Sequence, residues 1–187
     1  MEEIIQLDKD LLIFLNNLGS EEWDRLWLVI TKQFYWTPIF LVIFYFIIKK
    51  IGWKQFGFVV LFMALLILAT DQLTNLFKHN FERLRPCNDP TLDGLIREVL
   101  IRKSFSFFSG HASSSMASAA FLFFVIRKHF KYAFLLFLFP LIFAYSRIYL
   151  GLHFPGDILT GYLFGLFLGT FFYRLYKIMQ PKYFPVS

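Results

Sequence analysis

The stretch Ser146–Asp157, SRIYLGLHFPGD, places ionisable side chains between two strongly apolar runs. Such side chains in or beside hydrocarbon are energetically costly, so a cluster of them indicates function. His153 and Asp157 are four residues apart, and on a helix this spacing puts both side chains on one face. A carboxylate bonded to one ring nitrogen orients an imidazole and makes the other nitrogen a better nucleophile. The pair therefore predicts a nucleophilic histidine supported by an aspartate.

Three basic residues in two separate blocks favour phosphate as the group attacked. Lys78 and Arg85 belong to the block KHNFERLRP, and Arg147 precedes His153 by six residues. A guanidinium forms a planar fork that matches phosphate oxygens, whereas an ammonium supplies a compact point charge. We predict that these three cations hold a phosphate.

A third block, FFSGHASSS, adds a helix start and a second histidine. Ser109 and Gly110 come directly before an apolar run, where backbone N–H groups and the helix dipole favour an anion. His111 is available as a proton donor. The block therefore predicts further phosphate contacts and a general acid.

The remaining chain indicates a membrane protein of a single domain, residues 1–187, with its motifs within 78–157. Hydrophobic residues make up 57% of the sequence, which contains 27 phenylalanines. A membrane span needs about 20 apolar residues. We predict an all-α integral-membrane bundle with five spans: Leu26–Ile48, Phe56–Phe77, Ala112–Ile126, Tyr132–Tyr145 and Ile158–Tyr176. The shorter, amphipathic stretch Asp8–Leu18 is typical of an interfacial helix.

Charge predicts the orientation of these spans. One side receives nine basic residues and no acidic residue. By the positive-inside rule that side is cytoplasmic, together with the C-terminus. The nine are Lys49, Lys50, Lys54, Arg127, Lys128, Lys131, Arg174, Lys177 and Lys182. We expect the inner membrane of a bacterium, with all three polar blocks at the outer, periplasmic face, where they can form one pocket.

The three blocks together resemble the type 2 phosphatidic acid phosphatase superfamily, membrane lipid phosphatases related to vanadium haloperoxidases. Its pattern joins Lys-x6-Arg-Pro, Pro-Ser-Gly-His and Ser-Arg-x5-His-x3-Asp. The matching residues are Lys78, Arg85, Pro86, Ser109, Gly110, His111, Ser146, Arg147, His153 and Asp157. Phe108 stands where the family usually has proline, and this change removes no group that contacts phosphate.

The resemblance implies a two-step reaction through a phosphohistidine, with no metal or other cofactor. His153 attacks phosphorus, Asp157 orients His153, and His111 protonates the leaving oxygen and then activates water. The expected phosphate-binding residues are Lys78, Arg85, Arg147, Ser109 and Gly110. A metal at His153 and Asp157 is the alternative, but it needs at least a third ligand.

The substrate should be a lipid phosphate or pyrophosphate, because the site lies at the boundary between lipid and water. Undecaprenyl pyrophosphate is the favoured candidate. Phosphatidic acid, phosphatidylglycerol phosphate and lipid A phosphates are the others. A lipid phosphotransferase, and a transporter or binding protein without chemistry, remain as alternatives.

Other polar and small residues have structural interpretations. The formal charge of +6 does not indicate nucleic acid, because the basic residues are not gathered in an aromatic-rich patch. Gly161, Gly165 and Gly169 form a close-packing face, within one chain or in a homodimer. Four basic residues of the outer loop are interpreted as interfacial anchors: Arg83, Arg97, Arg102 and Lys103.

Overall fold

A computed structural model describes residues 2–183, and these residues form helices and loops without a strand. The α-helices are α1 (Glu2–Asn17), α2 (Glu21–Ile30), α3 (Thr37–Ile51), α4 (Trp53–Phe81), α5 (Gly110–Ile126), α6 (Leu138–Tyr149) and α7 (Pro155–Tyr183). Short 3₁₀ turns occur at Gln33–Trp36, Pro86–Asn88, Pro90–Leu92 and Ala133–Phe137. The predicted all-α class is confirmed.

Three helical segments of the described chain are long and apolar enough to cross a membrane, namely Gln33–Ile51, Trp53–Leu92 and Pro155–Tyr183. Two shorter apolar helices, Gly110–Ile126 and Ala133–Tyr149, coincide with the predicted third and fourth spans. All five predicted runs are therefore apolar helices at least in part, and the number of spans stays a prediction.

The prediction that the first span is one continuous helix over Leu26–Ile48 is wrong. Helix α2 ends at Ile30, Lys32 has an extended backbone, and a 3₁₀ turn leads into α3. Pro38 lies in the first turn of α3, a position where proline starts a helix more readily than it continues one. Lys32 and Gln33 therefore mark a break between two helices, and not a polar interruption within a single span.

Helix α1 is longer than the predicted interfacial helix and is anchored to the bundle. It begins at Glu2 rather than Asp8. Its Leu12 and Asn16 side chains are buried, and the Asn16 amide donates hydrogen bonds to the backbone oxygens of Ile148 and Tyr149, at 3.1 and 2.9 Å. Helix α1 is thereby attached to the end of α6.

Helices α5 and α7 form the closest pair in the bundle. Successive turns of α5 meet Gly161, Gly165 and Gly169 in the same order along the chain, which shows that the two helices run side by side in the same direction. A β-carbon at Gly161 would lie 2.8 Å from the Ser109 carbonyl oxygen, and one at Gly169 would lie 3.0 Å from the Ala120 β-carbon. The glycine face therefore packs against α5 of the same chain, one of the two arrangements that the sequence left open.

The two ends of the bundle have different interiors. At the end where α4 and α6 finish and α5 and α7 begin, polar side chains are buried; we call this the polar end, defined by Arg85, Ser106, Ser109, Arg147, His153 and Asp157. At the opposite end an apolar cluster fills the interior; we call this the apolar end, defined by Ile47, Val59, Phe62, Phe121, Leu168 and Tyr176. The chain direction thus brings all three sequence blocks to one end.

Candidate active site

His153 and Asp157 form a buried pair where the α6–α7 connection enters α7. Nδ1 of His153 lies 3.4 Å from Oδ2 of Asp157. The same carboxylate oxygen accepts hydrogen bonds from the Phe154 backbone N–H, at 3.1 Å, and from the Ser106 hydroxyl. These contacts fix the carboxylate against the Nδ1 edge of the imidazole.

The other ring nitrogen of His153 meets Arg85. Nη1 of Arg85 lies 3.0 Å from His153 Nε2 and also donates to the Leu152 backbone oxygen at 2.9 Å. A guanidinium donates hydrogen bonds and does not accept them, so Nε2 is the acceptor and the ring proton resides on Nδ1, facing Asp157. The Nε2 lone pair is therefore directed towards the cationic side of the site.

His153 is kept neutral by its surroundings. Burial, assisted by the charges of Arg85 and Arg147, lowers the pKa of His153 below its ordinary value, although Asp157 acts in the opposite direction. A neutral imidazole retains its lone pair at physiological pH. The side chain therefore has the protonation state that a nucleophile requires.

Arg147 is a second deeply buried cation of the site. It lies in the last turn of α6, is 5% exposed, and donates from Nη1 to the Thr31 hydroxyl. Its Nε is buried and has no hydrogen-bond partner among the described residues. A buried guanidinium with an unused donor can still receive an anion.

Lys78 approaches the site from the end of α4. A β-carbon at Gly110 would lie 4.0 Å from its Nζ atom, so the ammonium lies beside the first residue of α5. Lys78 interacts electrostatically with Arg85 and Arg147. The three cations predicted from two separate blocks therefore come together.

Ser109 is the N-cap of α5. Its hydroxyl oxygen accepts a hydrogen bond from the Ala112 backbone N–H, and its own N–H donates to the Asp157 backbone oxygen, at 3.1 Å. The cap links the start of α5 to the first turn of α7. Gly110 begins α5, and the first backbone N–H groups of a helix have no acceptor within it. This end of α5 therefore suits an anion.

His111 lies in the first turn of α5, with its ring against that of Phe143 at a centroid distance of 5.3 Å. It interacts electrostatically with His153 and with Lys78, Arg85 and Arg147. The structure therefore places both predicted histidines, their aspartate and the three cations in one cluster. Phe108, which replaces the usual proline, is buried and packs on the rings of Phe77 and Phe164.

Sequence reasoning missed two side chains that contact Asp157. The sequence predicts that Arg83 is an interfacial anchor, but its Nη1 lies 2.8 Å from Asp157 Oδ1. Ser106 contacts the other carboxylate oxygen. Arg97, also interpreted as an anchor, is paired instead with Asp24 at 2.7 Å. Neither Arg83 nor Ser106 has a sequence spacing that predicts its contact with Asp157. The available signals are that Arg83 lies within the first block and that Ser106 directly precedes the block FFSGHASSS.

Within residues 2–183, no group of three histidine, cysteine, aspartate or glutamate side chains could hold a metal ion. The metal alternative at His153 and Asp157 therefore lacks a third ligand of these types among the described residues. Independence from metal stays a prediction for experiment.

A neutral, oriented histidine surrounded by cations in a helical membrane bundle is the arrangement expected of a membrane phosphatase. Sequence comparison agrees: residues 58–180 match the PAP2 superfamily, and the chain therefore belongs to it. A lipid A 4'-phosphatase of Bacteroides thetaiotaomicron is 36% identical over 178 residues, covering 92% of this chain and 78% of the relative. A lipid A 4'-phosphatase of Porphyromonas gingivalis is 28% identical over 190 residues, covering 100% of this chain and 80% of the relative.

Solved structures show the same fold. A transmembrane PAP2-type phosphatidylglycerolphosphate phosphatase from Bacillus subtilis superposes with a TM-score of 0.72 at 20% identity, covering 100% of this chain and 90% of that chain. Aquifex aeolicus LpxE superposes with a TM-score of 0.64 at 24% identity, covering 90% of this chain and 95% of that chain. The predicted family and the helical membrane fold are confirmed.

Proposed function

We propose that this protein hydrolyses a lipid phosphate monoester through a phosphohistidine at His153. The observation that supports this most is the state of the imidazole, whose Nδ1 faces Asp157 and whose Nε2 lone pair meets Arg85. A phosphate oxygen accepts hydrogen bonds from guanidinium groups more strongly than a neutral imidazole does. An incoming phosphate would therefore take over the Arg85 donor and release Nε2 for attack.

The reaction proceeds in two displacements. Nε2 of His153 forms a bond to phosphorus while the bond from phosphorus to the lipid oxygen breaks, and His111 gives that oxygen a proton. Water then attacks phosphorus, His111 accepts the proton from the water, and the bond to Nε2 breaks. Inorganic phosphate leaves and His153 is regenerated, while Asp157 balances the positive charge on the ring in between.

The phosphate oxygens are held by side chains and backbone. Lys78, Arg85 and Arg147 supply positive charge, and Ser109 with Gly110 supply the start of a helix. Charge on the non-bridging oxygens is stabilised by fixed donors in a water-poor site, without reorganisation at the moment of reaction. The unpartnered Nε of Arg147 is one donor ready for this task.

The favoured substrate is a lipid A 4'-phosphate. Two relatives that span most of this chain carry that activity in their names, and this chain covers 78% and 80% of their lengths. Undecaprenyl pyrophosphate, favoured from the sequence alone, has no support from these relatives. Phosphatidylglycerol phosphate has the support of a shorter match, 33% identical over 115 residues, to phosphatidylglycerophosphatase B of Bacillus subtilis.

A substrate panel tests this proposal. Purified protein would be given lipid A, undecaprenyl pyrophosphate, phosphatidylglycerol phosphate and phosphatidic acid, each with and without EDTA, beside a His153→Ala control. We expect fastest phosphate release from lipid A, loss of the 4'-phosphate by mass spectrometry, and no effect of EDTA. Faster turnover of another lipid would overturn the substrate assignment. Transfer to an acceptor without free phosphate would favour the phosphotransferase, and binding without turnover would favour a transporter or binding protein.

We further propose that the protein lies in the inner membrane with the polar end outside and the C-terminus in the cytoplasm. Ser187 and Met1 lie outside the described residues. Lys103 in the outer loop and Lys128 after α5 are both exposed and belong to opposite ends of the bundle. In a Cys87→Ser background, a membrane-impermeant maleimide added to intact spheroplasts should label Lys103→Cys and leave Lys128→Cys unlabelled. The reverse pattern would overturn the orientation.

A further inference from the structure

Arg83 joins the oriented carboxylate of the site to helix α1. Its Nη1 lies 2.8 Å from Asp157 Oδ1, and its Nη2 lies 2.7 Å from Asp8 Oδ2. Arg83 lies within the first block, at one of the unspecified positions of the Lys-x6-Arg-Pro pattern, and it does not contact His153. Its position is therefore a feature of this chain that the proposed phosphate chemistry has not used.

Asp157 needs a contact of this kind. Its side chain is 0% exposed, and burying a carboxylate without a partner is strongly unfavourable. Oδ2 is occupied by Ser106 and the Phe154 N–H, beside His153. Oδ1 forms a salt bridge with Arg83. Among the described residues, Arg83 and His153 are the salt-bridge partners of Asp157.

Arg83 is itself held from two directions. Its guanidinium lies over the Phe154 ring, 3.9 Å from the centroid, which is cation–π geometry. Asp8 Oδ2 accepts a hydrogen bond from Nη2 of Arg83, and Asp8 Oδ1 accepts one from the Gly156 backbone N–H at 2.7 Å. Asp8 thus fixes both Arg83 and the first turn of α7, where Asp157 resides.

Gly156 leaves room for this arrangement. A β-carbon at that position would lie 2.9 Å from Asp8 Oδ2 and 3.1 Å from Asp8 Oδ1. A side chain there would have to displace the carboxylate from its bonds with Arg83 and the backbone. Asp8 therefore contacts both Arg83 and Gly156, and Arg83 in turn contacts Asp157.

We infer that Arg83, held by Asp8, is a positioning residue that keeps Asp157 ionised and directed at Nδ1 of His153. This inference rests on the proposed function, because it concerns the orientation of the proposed nucleophile. When Nε2 bonds to phosphorus the ring becomes positively charged, and a fixed anion at Nδ1–H stabilises that charge. Arg83 acts through Asp157, whose Oδ1 it contacts at 2.8 Å.

The test compares Arg83→Ala, Arg83→Lys and Asp8→Ala with Arg97→Ala. Arg97 is a matched control: it is also a partly exposed outer-loop arginine bonded to an aspartate, with 23% of its side chain exposed against 27% for Arg83. Steady-state kinetics on the best lipid and on nitrophenyl phosphate would be measured with thermal stability in detergent. We expect Arg83→Ala to lower kcat by about 10- to 100-fold with KM changed less than about threefold, by analogy with the loss when a carboxylate that orients a metal-bound histidine is disturbed.

Three further results define the outcome. Arg83→Lys should recover part of the lost kcat, Asp8→Ala should lower kcat less than Arg83→Ala, and Arg97→Ala should keep the wild-type kcat. The inference would be overturned if Arg83→Ala keeps the wild-type kcat. It would also be overturned if Arg97→Ala loses as much kcat as Arg83→Ala, with an equal fall in stability. Either result leaves the proposed function intact. An inactive wild-type protein would overturn both. If Arg83→Ala does not fold, Arg83→Lys and Asp8→Ala decide, since wild-type kcat in both contradicts a positioning role.

Discussion

The polar end and the apolar end of this bundle lie at opposite ends of α4, α5 and α7 and have different interiors. At the polar end, six polar or charged side chains are buried, and the pair His153 and Asp157 is enclosed almost completely. At the apolar end, aromatic and aliphatic side chains fill the interior, and Tyr176 reaches Gln55 as a polar exception. Substitutions at the polar end should therefore change rates, whereas substitutions at the apolar end should change stability.

The largest effect is expected at the nucleophile. Replacing His153 with alanine removes the atom that bonds to phosphorus, so phosphate release should fall to the uncatalysed background. His129 is an exposed histidine after α5, at the opposite end of the bundle, and His129→Ala is the matched control. Its activity should equal that of the wild type in the same detergent assay. Equal losses of activity in His153→Ala and His129→Ala would contradict the difference in function between the polar end and the apolar end.

The second effect separates the two histidines. His111→Ala should lower turnover of the lipid by about 10²–10⁴-fold, the usual contribution of proton transfer by a positioned side chain. The loss should be smaller with nitrophenyl phosphate, because that leaving group hardly needs a proton. Rates for both substrates in both proteins measure this directly. An equal loss with the two substrates would contradict a general-acid role for His111.

The third effect concerns the contact that connects the two ends. A β-carbon at Gly165 would lie 3.0 Å from the Ala117 nitrogen and 3.1 Å from the Met116 β-carbon. Gly165→Ala should therefore destabilise the protein by about 1–3 kcal/mol, the range of overpacked interiors. A β-carbon at Gly57, in α4, would meet nothing within 4 Å, so Gly57→Ala serves as the control. Unfolding in detergent would measure both, and equal stability of the two variants would argue against a close α5–α7 contact.

The smallest effect is expected at the apolar end. Tyr176 is 2% exposed, and its hydroxyl accepts a hydrogen bond from Gln55 at 3.1 Å. Tyr176→Phe removes one neutral hydrogen bond and should cost about 0.5–1.5 kcal/mol. kcat and KM should remain at wild-type values. A changed kcat with unchanged stability would show that the apolar end takes part in catalysis.

Sequence predicted the helical class and the residues of the site because both depend on local or periodic patterns. Apolar runs mark helices in a bilayer, and the three blocks have fixed spacings. His153 and Asp157 were predicted as a pair because they are four residues apart, a separation that one helical turn explains. The neutral state of His153 follows from its contact with Arg85 and from burial, and these are evident only in the folded chain.

The features that the sequence did not reveal depend on distant contacts. Arg83 meets Asp8 and Asp157, which are 75 and 74 residues away, and no periodic pattern encodes such a pair. The break after α2 was missed because hydropathy averages over Lys32 and Gln33. The glycine face was recognised, but a glycine ladder packs equally well within a chain or between chains. Only the position of α5 resolves that choice.

Trapping the phosphoenzyme tests the central proposal most directly. Lipid substrate labelled with ³²P would be mixed with the wild-type, His111→Ala and His153→Ala proteins in single turnovers, quenched in base, and the labelled peptide identified by mass spectrometry. We predict acid-labile, base-stable phosphate on His153, a larger amount in His111→Ala because water lacks its base, and none in His153→Ala. Label on His111, or label that persists in His153→Ala, would contradict the assignment of His153 as the nucleophile.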